Sequence, residues 1–106
     1  MSYWSREALT YDDVLPVPQY SDIESRSEVD ISNKLSDGVQ LDMPIISSPM
    51  DTVTEGAMAM AMSQAGGLGV IHRYNTIDQH ADIVSKAYYG NCKNIAAAIG
   101  MGGDFL

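Results

Sequence analysis

The stretch Met43–His72, which reads MPIISSPMDTVTEGAMAMAMSQAGGLGVIH, decides the fold of this 106-residue chain. Met43–Ser47 is a short apolar run with a proline near its start, where the missing N–H is tolerated in a strand. Leu68–His72 is a second apolar run, and a helical pattern lies between the two. The order of strand, helix and strand predicts one βαβ unit with parallel strands, and therefore an α/β fold.

The helix of this unit is predicted from its start and stop signals. Thr52–Glu55, which reads TVTE, fits a capping box, so the helix is predicted to begin there. Gly66 and Gly67 are predicted to end it, because glycine readily adopts the left-handed conformation that closes a helix. Apolar residues recur at helical spacing and predict one buried face, made of Ala57, Met58, Ala61, Met62 and Ala65.

A second helix and a third strand follow this unit. Thr76–Gln79 is another capping box, and the helix it starts is predicted to end near Gly90. Asn94–Ile99 is predicted to be the third strand. His80 has no companion histidine on the helix and is predicted to face solvent. The residues predicted to be buried on this helix are Ile77, Ala81, Val84, Ala87 and Tyr88.

The residues before Met43 are polar and contain many turn formers. Pro16 and Pro18 restrict the backbone to extended forms and exclude a helix there. Asp37-Gly38 predicts a hairpin turn between strands Ile31–Leu35 and Val39–Leu41. The predicted buried positions of this part are Val29, Ile31 and Leu35. Trp4 is predicted to be the one apolar anchor of an otherwise loose N-terminal arm.

The predicted βαβ unit places polar residues at one edge of the sheet. Parallel strands have their carboxyl ends on the same side, and ligand-binding loops lie there in open α/β sheets and in barrels alike. Ser47–Asp51 and His72–Tyr74 are therefore predicted to be neighbours on one rim. The pattern predicts this geometry and does not identify the ligand.

Composition excludes several classes of partner. The net charge is −8, from 6 basic and 14 acidic residues, which argues against nucleic acid or an anionic membrane as a partner. No apolar run is long enough to span a bilayer, and MSYWSREALT lacks the features of a secretory signal. A single cysteine, Cys92, cannot form an internal disulfide, which fits a cytoplasmic protein.

Two motifs carry a resemblance to a known family. SSPMDTVTE, followed by the helix and GGLGVIHR, closely resembles the first βαβ unit of inosine-5′-monophosphate dehydrogenase. LTYDDVLPVPQYS, which begins at Leu9, resembles the opening segment of the same family. The resemblance implies a (β/α)8 TIM barrel, of which residues 1–106 would be the N-terminal segment and about the first three strands. Many family members carry a regulatory domain between the second helix and the third strand, and no such insertion is found here.

The resemblance also implies a reaction, the oxidation of IMP to XMP with NAD as the cofactor. It assigns Ser48 to the nucleotide phosphate, and Met50 to the base and ribose. Arg73 would approach the adenosine portion of NAD, with His72 on the same rim. In the family the enzymes are homo-oligomers, usually tetramers.

The resemblance assigns no catalytic residue to this segment. The cysteine nucleophile of the family is expected downstream, and Cys92 is expected at the opposite end of the barrel from the active rim. No metal ligand is predicted here, and any monovalent cation would bind to residues outside the segment. The 106-residue segment alone is therefore predicted to be inactive.

Two alternatives remain open on the sequence. GMP reductase, which converts GMP to IMP with NADPH, shares the barrel. It is favoured by SRSEVD at Ser25–Asp30 and by the missing insertion, whereas SSPMDTVTE favours the dehydrogenase. The second alternative is a non-catalytic nucleotide-binding or assembly module, which would need a partner to cover its strand edges.

Overall fold

A computed structural model describes residues 7–102, so the prediction for Trp4 lies outside the described residues. A single turn of 3₁₀ helix, Arg26–Glu28, precedes the regular elements. In chain order these are β1 (Asn33–Ser36), β2 (Val39–Leu41), β3 (Ile46–Ser47), α1 (Gly56–Gln64), β4 (Leu68–Ile71), α2 (Ile77–Tyr89) and β5 (Ala96–Ala97).

The predicted parallel βαβ unit is confirmed, and a second one follows it. β3, β4 and β5 form a three-stranded sheet in chain order, and both pairings are parallel. The paired strands are shorter than predicted: β3 covers Ile46–Ser47 and β5 covers Ala96–Ala97. The described residues form this open sheet and do not form a closed barrel.

The predicted hairpin is also confirmed. β1 and β2 are antiparallel, and Asp37-Gly38 joins them, with an irregular register between Lys34 and Ser36. Two contacts join the end of the hairpin to the residues just before β5. The Asn94 side-chain amide donates to the Gln40 carbonyl at 2.8 Å, and Lys93 Nζ lies 3.2 Å from the Asp42 carboxylate. The hairpin therefore lies at the amino end of the parallel sheet.

Three apolar residues of the upstream part were predicted to be buried, and this prediction is wrong. Val29 is 46% exposed, Ile31 55% and Leu35 48%. An alternating pattern identifies apolar positions but not whether another element covers them. Leu41, at the end of β2, is the residue of the hairpin that is fully buried.

Helix α1 begins later than predicted and buries a different face. It starts at Gly56 with Glu55 as its N-cap, and the Glu55 side chain makes no capping hydrogen bond, so the predicted capping box at Thr52–Glu55 is wrong. The fully buried residues are Ala59 and Ser63, with Gly56 half-buried on the same side. Of the five residues predicted to be buried, Met62 alone is half-buried, whereas the other four are exposed: Ala57, Met58, Ala61 and Ala65. Small residues therefore form the side of α1 that contacts the sheet.

The end of α1 is as predicted. Gly66 has a φ of +89°, the left-handed conformation that an L side chain rarely adopts. Its carbonyl oxygen accepts two backbone hydrogen bonds, from Asp42 N–H at 2.9 Å and Met43 N–H at 3.0 Å. This turn therefore fixes the chain that leads into β3.

Helix α2 starts and stops where predicted. Thr76 accepts from the Gln79 N–H and the Gln79 side chain accepts from the Thr76 N–H, which is a complete capping box, and Gly90 is the C-cap. Its buried face is confirmed in part. Ala87 is fully buried and Val84 half-buried, whereas Ala81, Ile77 and Tyr88 are exposed.

The core is small and lies between the two helices and the parallel sheet. Its fully buried members are Ala59, Ile71 and Ala87. Half-buried residues pack around them: Met60, Ile83, Val84, Cys92 and Ile95. Among residues 7–102, neither helix combines the length and the apolar character that crossing a membrane requires.

Candidate functional site

The carboxyl ends of the three parallel strands lie along one edge, which we call the carboxyl rim. It consists of the segments that follow β3, β4 and β5, namely residues 48–54, 72–75 and 98–102. The second and third segments meet around a small cavity of about 60 Å³. The first and second meet where the His72 N–H donates to the Thr54 carbonyl at 3.3 Å. The predicted proximity of the first two segments is therefore confirmed.

The first segment of the rim is a loop that folds back on its own backbone. The Met50 N–H donates to the Ser48 carbonyl at 2.8 Å, and the N–H groups of Val53 and Thr54 both donate to the Met50 carbonyl at 3.0 Å. The side chains of Ser48 and Met50 are left exposed, that of Met50 with 52% of its surface accessible. Hydrogen bonds thus fix the loop backbone. The side chains of Ser48 and Met50, which the resemblance assigns to the substrate, face outward.

Thr54 is the buried anchor of this loop. It is fully buried, and its hydroxyl oxygen lies 2.7 Å from the Ser48 carbonyl and 2.8 Å from the Ser47 hydroxyl. A carbonyl can only accept and a hydroxyl has one hydrogen. The Thr54 hydroxyl therefore donates to Ser48, and the Ser47 hydroxyl supplies the hydrogen of the other bond.

His72 lies at the end of β4 and is 1% exposed. Its Nε2 lies 3.0 Å from Glu55 Oε1, and its Nδ1 accepts from the Tyr74 N–H at 3.1 Å. The ring also stacks on that of Tyr74, with 6.1 Å between centroids. Both ring nitrogens are therefore used within the protein.

Arg73, Asn75 and His80 line the cavity of the rim. The prediction that His80 faces solvent is wrong: the residue is half-buried and its Nε2 is fully enclosed. Neither this atom nor the enclosed Nδ2 of Asn75 has a hydrogen-bond partner among the described residues. Buried polar atoms without partners are rare in folded proteins. Two residues that line the cavity therefore each carry an enclosed polar atom without a partner among the described residues.

Cys92 lies away from the rim, as expected. It lines a separate depression with Val39 and Leu68, the first residues of β2 and β4. These residues are at the amino ends of their strands. Cys92 is half-buried against the core and does not line the cavity of the rim.

Sequence reasoning missed four residues in or beside the rim. Thr54 and Glu55 were assigned to a capping box, and only the position of Gly56, a poor helix former directly after them, indicated a later start. Asn75 and His80 carried no signal, because their placement depends on how α2 packs beside β5. The structure brings Ser48 and Met50 onto one loop, and Arg73 and His72 onto the next.

The sequence profile of the IMP dehydrogenase / GMP reductase domain matches residues 8–104 of this chain. The matched residues make up nearly the whole chain. The chain belongs to the IMP dehydrogenase / GMP reductase family.

Individual relatives are similar over most of this chain but over little of their own length. An inosine-5′-monophosphate dehydrogenase of Nitrosopumilus maritimus is 54% identical over 81 residues, which are 76% of this chain and 17% of that protein. Those of Staphylococcus epidermidis and Staphylococcus aureus are each 52% identical, over 78% and 80% of this chain respectively. The chain therefore spans about 17% of the length of the curated relatives it matches.

Proposed function

We propose that this chain is the N-terminal part of an IMP dehydrogenase-like oxidoreductase, which converts IMP, NAD and water to XMP and NADH. Its membership of the family supports the proposal, as do the relatives that are named inosine-5′-monophosphate dehydrogenase. Because the chain spans so small a share of those relatives, the reaction of the whole protein is a proposal rather than a property of this segment.

The single observation that carries the proposal is the loop after β3. Its backbone is held by its own hydrogen bonds and by Thr54, while Ser48 and Met50 face outward at the carboxyl ends of parallel strands. A hydroxyl can donate to a phosphate oxygen, and a thioether packs readily against a flat ring. The loop thus offers a polar and an apolar contact to the two parts of a purine nucleotide.

The cavity of the rim fits one polar group of a larger ligand. Its volume of about 60 Å³ is too small for a dinucleotide. The guanidinium of Arg73 and the amide of Asn75 are both donors, and His80 Nε2 is a donor when that nitrogen carries the proton. This set suits the oxygen atoms of a phosphate or a ribose, so we propose that it holds one edge of NAD. NAD, when bound, accepts a hydride.

His72 would help to shape the same rim but would not form hydrogen bonds to the cofactor. Its ring nitrogens bond to Glu55 and to the Tyr74 backbone, while the Tyr74 ring beside it is 71% exposed. The exposed aromatic ring offers a flat surface for a base or a nicotinamide.

The residues of this segment would bind and orient, and the nucleophile would come from elsewhere in the protein. A cysteine needs a nearby cation or helix N-terminus to react readily. Cys92 is half-buried in the core at the far end of the sheet. We therefore propose that the 106-residue chain alone produces no NADH.

The test is a paired assay on the protein as its gene encodes it. IMP with NAD should give NADH and XMP, while GMP with NADPH should give no IMP. The Ser48→Ala variant should raise KM for IMP roughly tenfold, the effect of losing a hydrogen bond to a charged group. Ser36→Ala, which changes an exposed serine of the hairpin, is the matched control. No turnover of IMP by the unaltered protein would contradict the proposal.

The second candidate function is that of a GMP reductase, favoured by SRSEVD at Ser25–Asp30. Turnover of GMP with NADPH in the same assay would establish it. A protein that turns over neither nucleotide but binds one of them would instead be a non-catalytic module. In either enzyme we expect a homo-oligomer, a tetramer by resemblance to the family, which the sedimentation of the intact protein would measure.

A further inference from the structure

The residue after β4, His72, and the N-cap of α1, Glu55, are joined by one side-chain contact. Glu55 and His72 are 17 residues apart in sequence, yet Nε2 of the histidine lies 3.0 Å from a carboxylate oxygen of the glutamate. Glu55 directly follows the loop that carries Ser48 and Met50. The contact therefore closes that loop against the neighbouring strand.

The geometry fixes which ring nitrogen carries the proton. Nδ1 receives the Tyr74 N–H at 3.1 Å, so this nitrogen must be unprotonated. In a neutral ring the hydrogen is then on Nε2, which donates to Glu55. One tautomer satisfies both nitrogens of a side chain that is almost wholly buried.

A second connection runs through the backbone. The His72 N–H donates to the Thr54 carbonyl at 3.3 Å, and the Thr54 hydroxyl donates to the Ser48 carbonyl at 2.7 Å. The same Ser48 carbonyl accepts the Met50 N–H at 2.8 Å. His72 thus reaches the loop through two neighbouring residues: Glu55, which directly follows the loop, and Thr54, its last residue, whose hydroxyl bonds to Ser48.

From these contacts we propose that His72 and Glu55 are positioning residues for the substrate loop. They would hold Ser48 and Met50 in the arrangement that binds the nucleotide. This inference rests on the proposed function, because it takes the loop after β3 as the substrate contact. It extends that function to two residues that would not touch the substrate.

Glu55 is the better residue to change. Its side chain is 59% exposed and makes no capping hydrogen bond to α1, so its removal does not open the core or take away a cap. Glu55→Ala deletes the acceptor, whereas Glu55→Gln keeps an oxygen that can accept from Nε2. The second variant should therefore restore what the first one loses.

The first measurement is amide hydrogen exchange on the protein as its gene encodes it, a measurement that does not depend on any activity. The N–H groups of Val53 and Thr54, which close the loop, should exchange several-fold faster in Glu55→Ala than in the unaltered chain or in Glu55→Gln. The Gln79 N–H, in the capping box of α2, serves as the internal reference. Unchanged exchange at Val53 and Thr54 would overturn the proposal.

The second measurement is steady-state kinetics on the protein as its gene encodes it. Glu55→Ala should raise KM for IMP by roughly a factor of three to ten, the effect of one lost hydrogen bond, with little change in kcat or in KM for NAD. Glu55→Gln should recover most of this loss. Asp82→Ala, which breaks an exposed ion pair with Lys86 on α2, is the matched control.

The outcomes separate the two proposals. If the unaltered protein does not turn over IMP, the proposed function fails, whatever the exchange data show. If it does turn over IMP but Glu55→Ala leaves KM for IMP unchanged, or raises both KM values equally, the positioning role is wrong and the proposed function stands.

Discussion

Gly69 on β4 lies directly against Ala59 on α1. A Cβ atom at residue 69 would be 2.6 Å from the Ala59 Cα and 3.1 Å from its Cβ. Real Cβ atoms essentially never approach other heavy atoms below 3.0 Å. The helix can therefore pack on the sheet at this distance only because residue 69 has no side chain.

Gly69→Ala should consequently destabilise the fold. Either α1 must move away from β4 or both backbones must distort, and overpacking of this kind reduces the free energy of unfolding by about 1–3 kcal/mol. Urea unfolding followed by circular dichroism measures the change. Gly102→Ala is the control, because nothing lies within 4 Å of its added Cβ. Equal stability of the two variants would show that the helix is not held this closely.

Thr54→Val tests the hydroxyl that anchors the substrate loop. The change keeps the shape of the side chain but removes the hydrogen bonds that the Thr54 hydroxyl makes with the Ser48 carbonyl and the Ser47 hydroxyl. The loss of one hydrogen bond lowers the free energy of unfolding by about 0.5–1.5 kcal/mol. Thr54→Ser retains the hydroxyl and should lose less, and urea unfolding compares the two. If both variants are equally stable, the hydrogen bonds of the hydroxyl contribute nothing.

The capping box of α2 predicts the effect of Thr76→Ala. This change removes the acceptor for the Gln79 N–H, and the loss of an N-cap side chain lowers stability by about 1 kcal/mol. Thermal unfolding should show a lower midpoint. Ser85→Ala, on an exposed part of the same helix, should not lower it. If Ser85→Ala lowers the midpoint of thermal unfolding by the same amount, the loss of stability does not come from the cap.

The pKa of Asp13 is lowered by hydrogen bonds from Thr10, first from its backbone N–H and then from its hydroxyl. Thr10→Ala removes the hydroxyl alone, so the pKa of Asp13 should rise but stay below its ordinary value. Because the pKa in the folded chain is depressed, the turn is stabilised above the ordinary carboxyl pKa. That stabilisation is lost as the pH falls through the lowered pKa.

Carbon-detected NMR titration of the carboxyl groups measures this shift. The pKa of Asp30 is the internal reference, since it is lowered by the Ser32 backbone N–H and hydroxyl and should not change. An unchanged pKa of Asp13 in Thr10→Ala would show that the backbone hydrogen bond accounts for the whole effect.

The two helices show what the sequence could and could not predict. At α2 the capping partners, Thr76 and Gln79, have no competing contact, so the local pattern was sufficient. At α1 an equally good pattern failed because Glu55, which was predicted to close the box with Thr52, bonds to His72 instead. The deciding partner of Glu55 lies 17 residues away and is brought near by the fold. Local patterns do not contain such information.

The buried face of α1 was unpredictable for a different reason. Alanine and methionine surround the helix, so no polar stripe marks its solvent side. The short distance between α1 and the sheet instead requires small residues on the buried face, as the contact between Gly69 and Ala59 shows.

For the site, the rule that parallel strands have their carboxyl ends on one edge correctly predicted that the loops after β3 and β4 are neighbours. It did not locate the cavity beside His80, which depends on the packing of α2. The ligand contacts of Ser48, Met50, Arg73 and His72 came from resemblance and stay predictions.

The order of the strands also bears on how the chain folds as it is made. β3, β4 and β5 pair in the order of synthesis, with Ser47 beside Gly69 and Ile71 beside Ala97. Each pairing closes a connection of only one helix, and short connections lose less conformational entropy on closure than long ones. A chain leaving the ribosome therefore has the neighbour of each new strand already synthesised when that strand emerges.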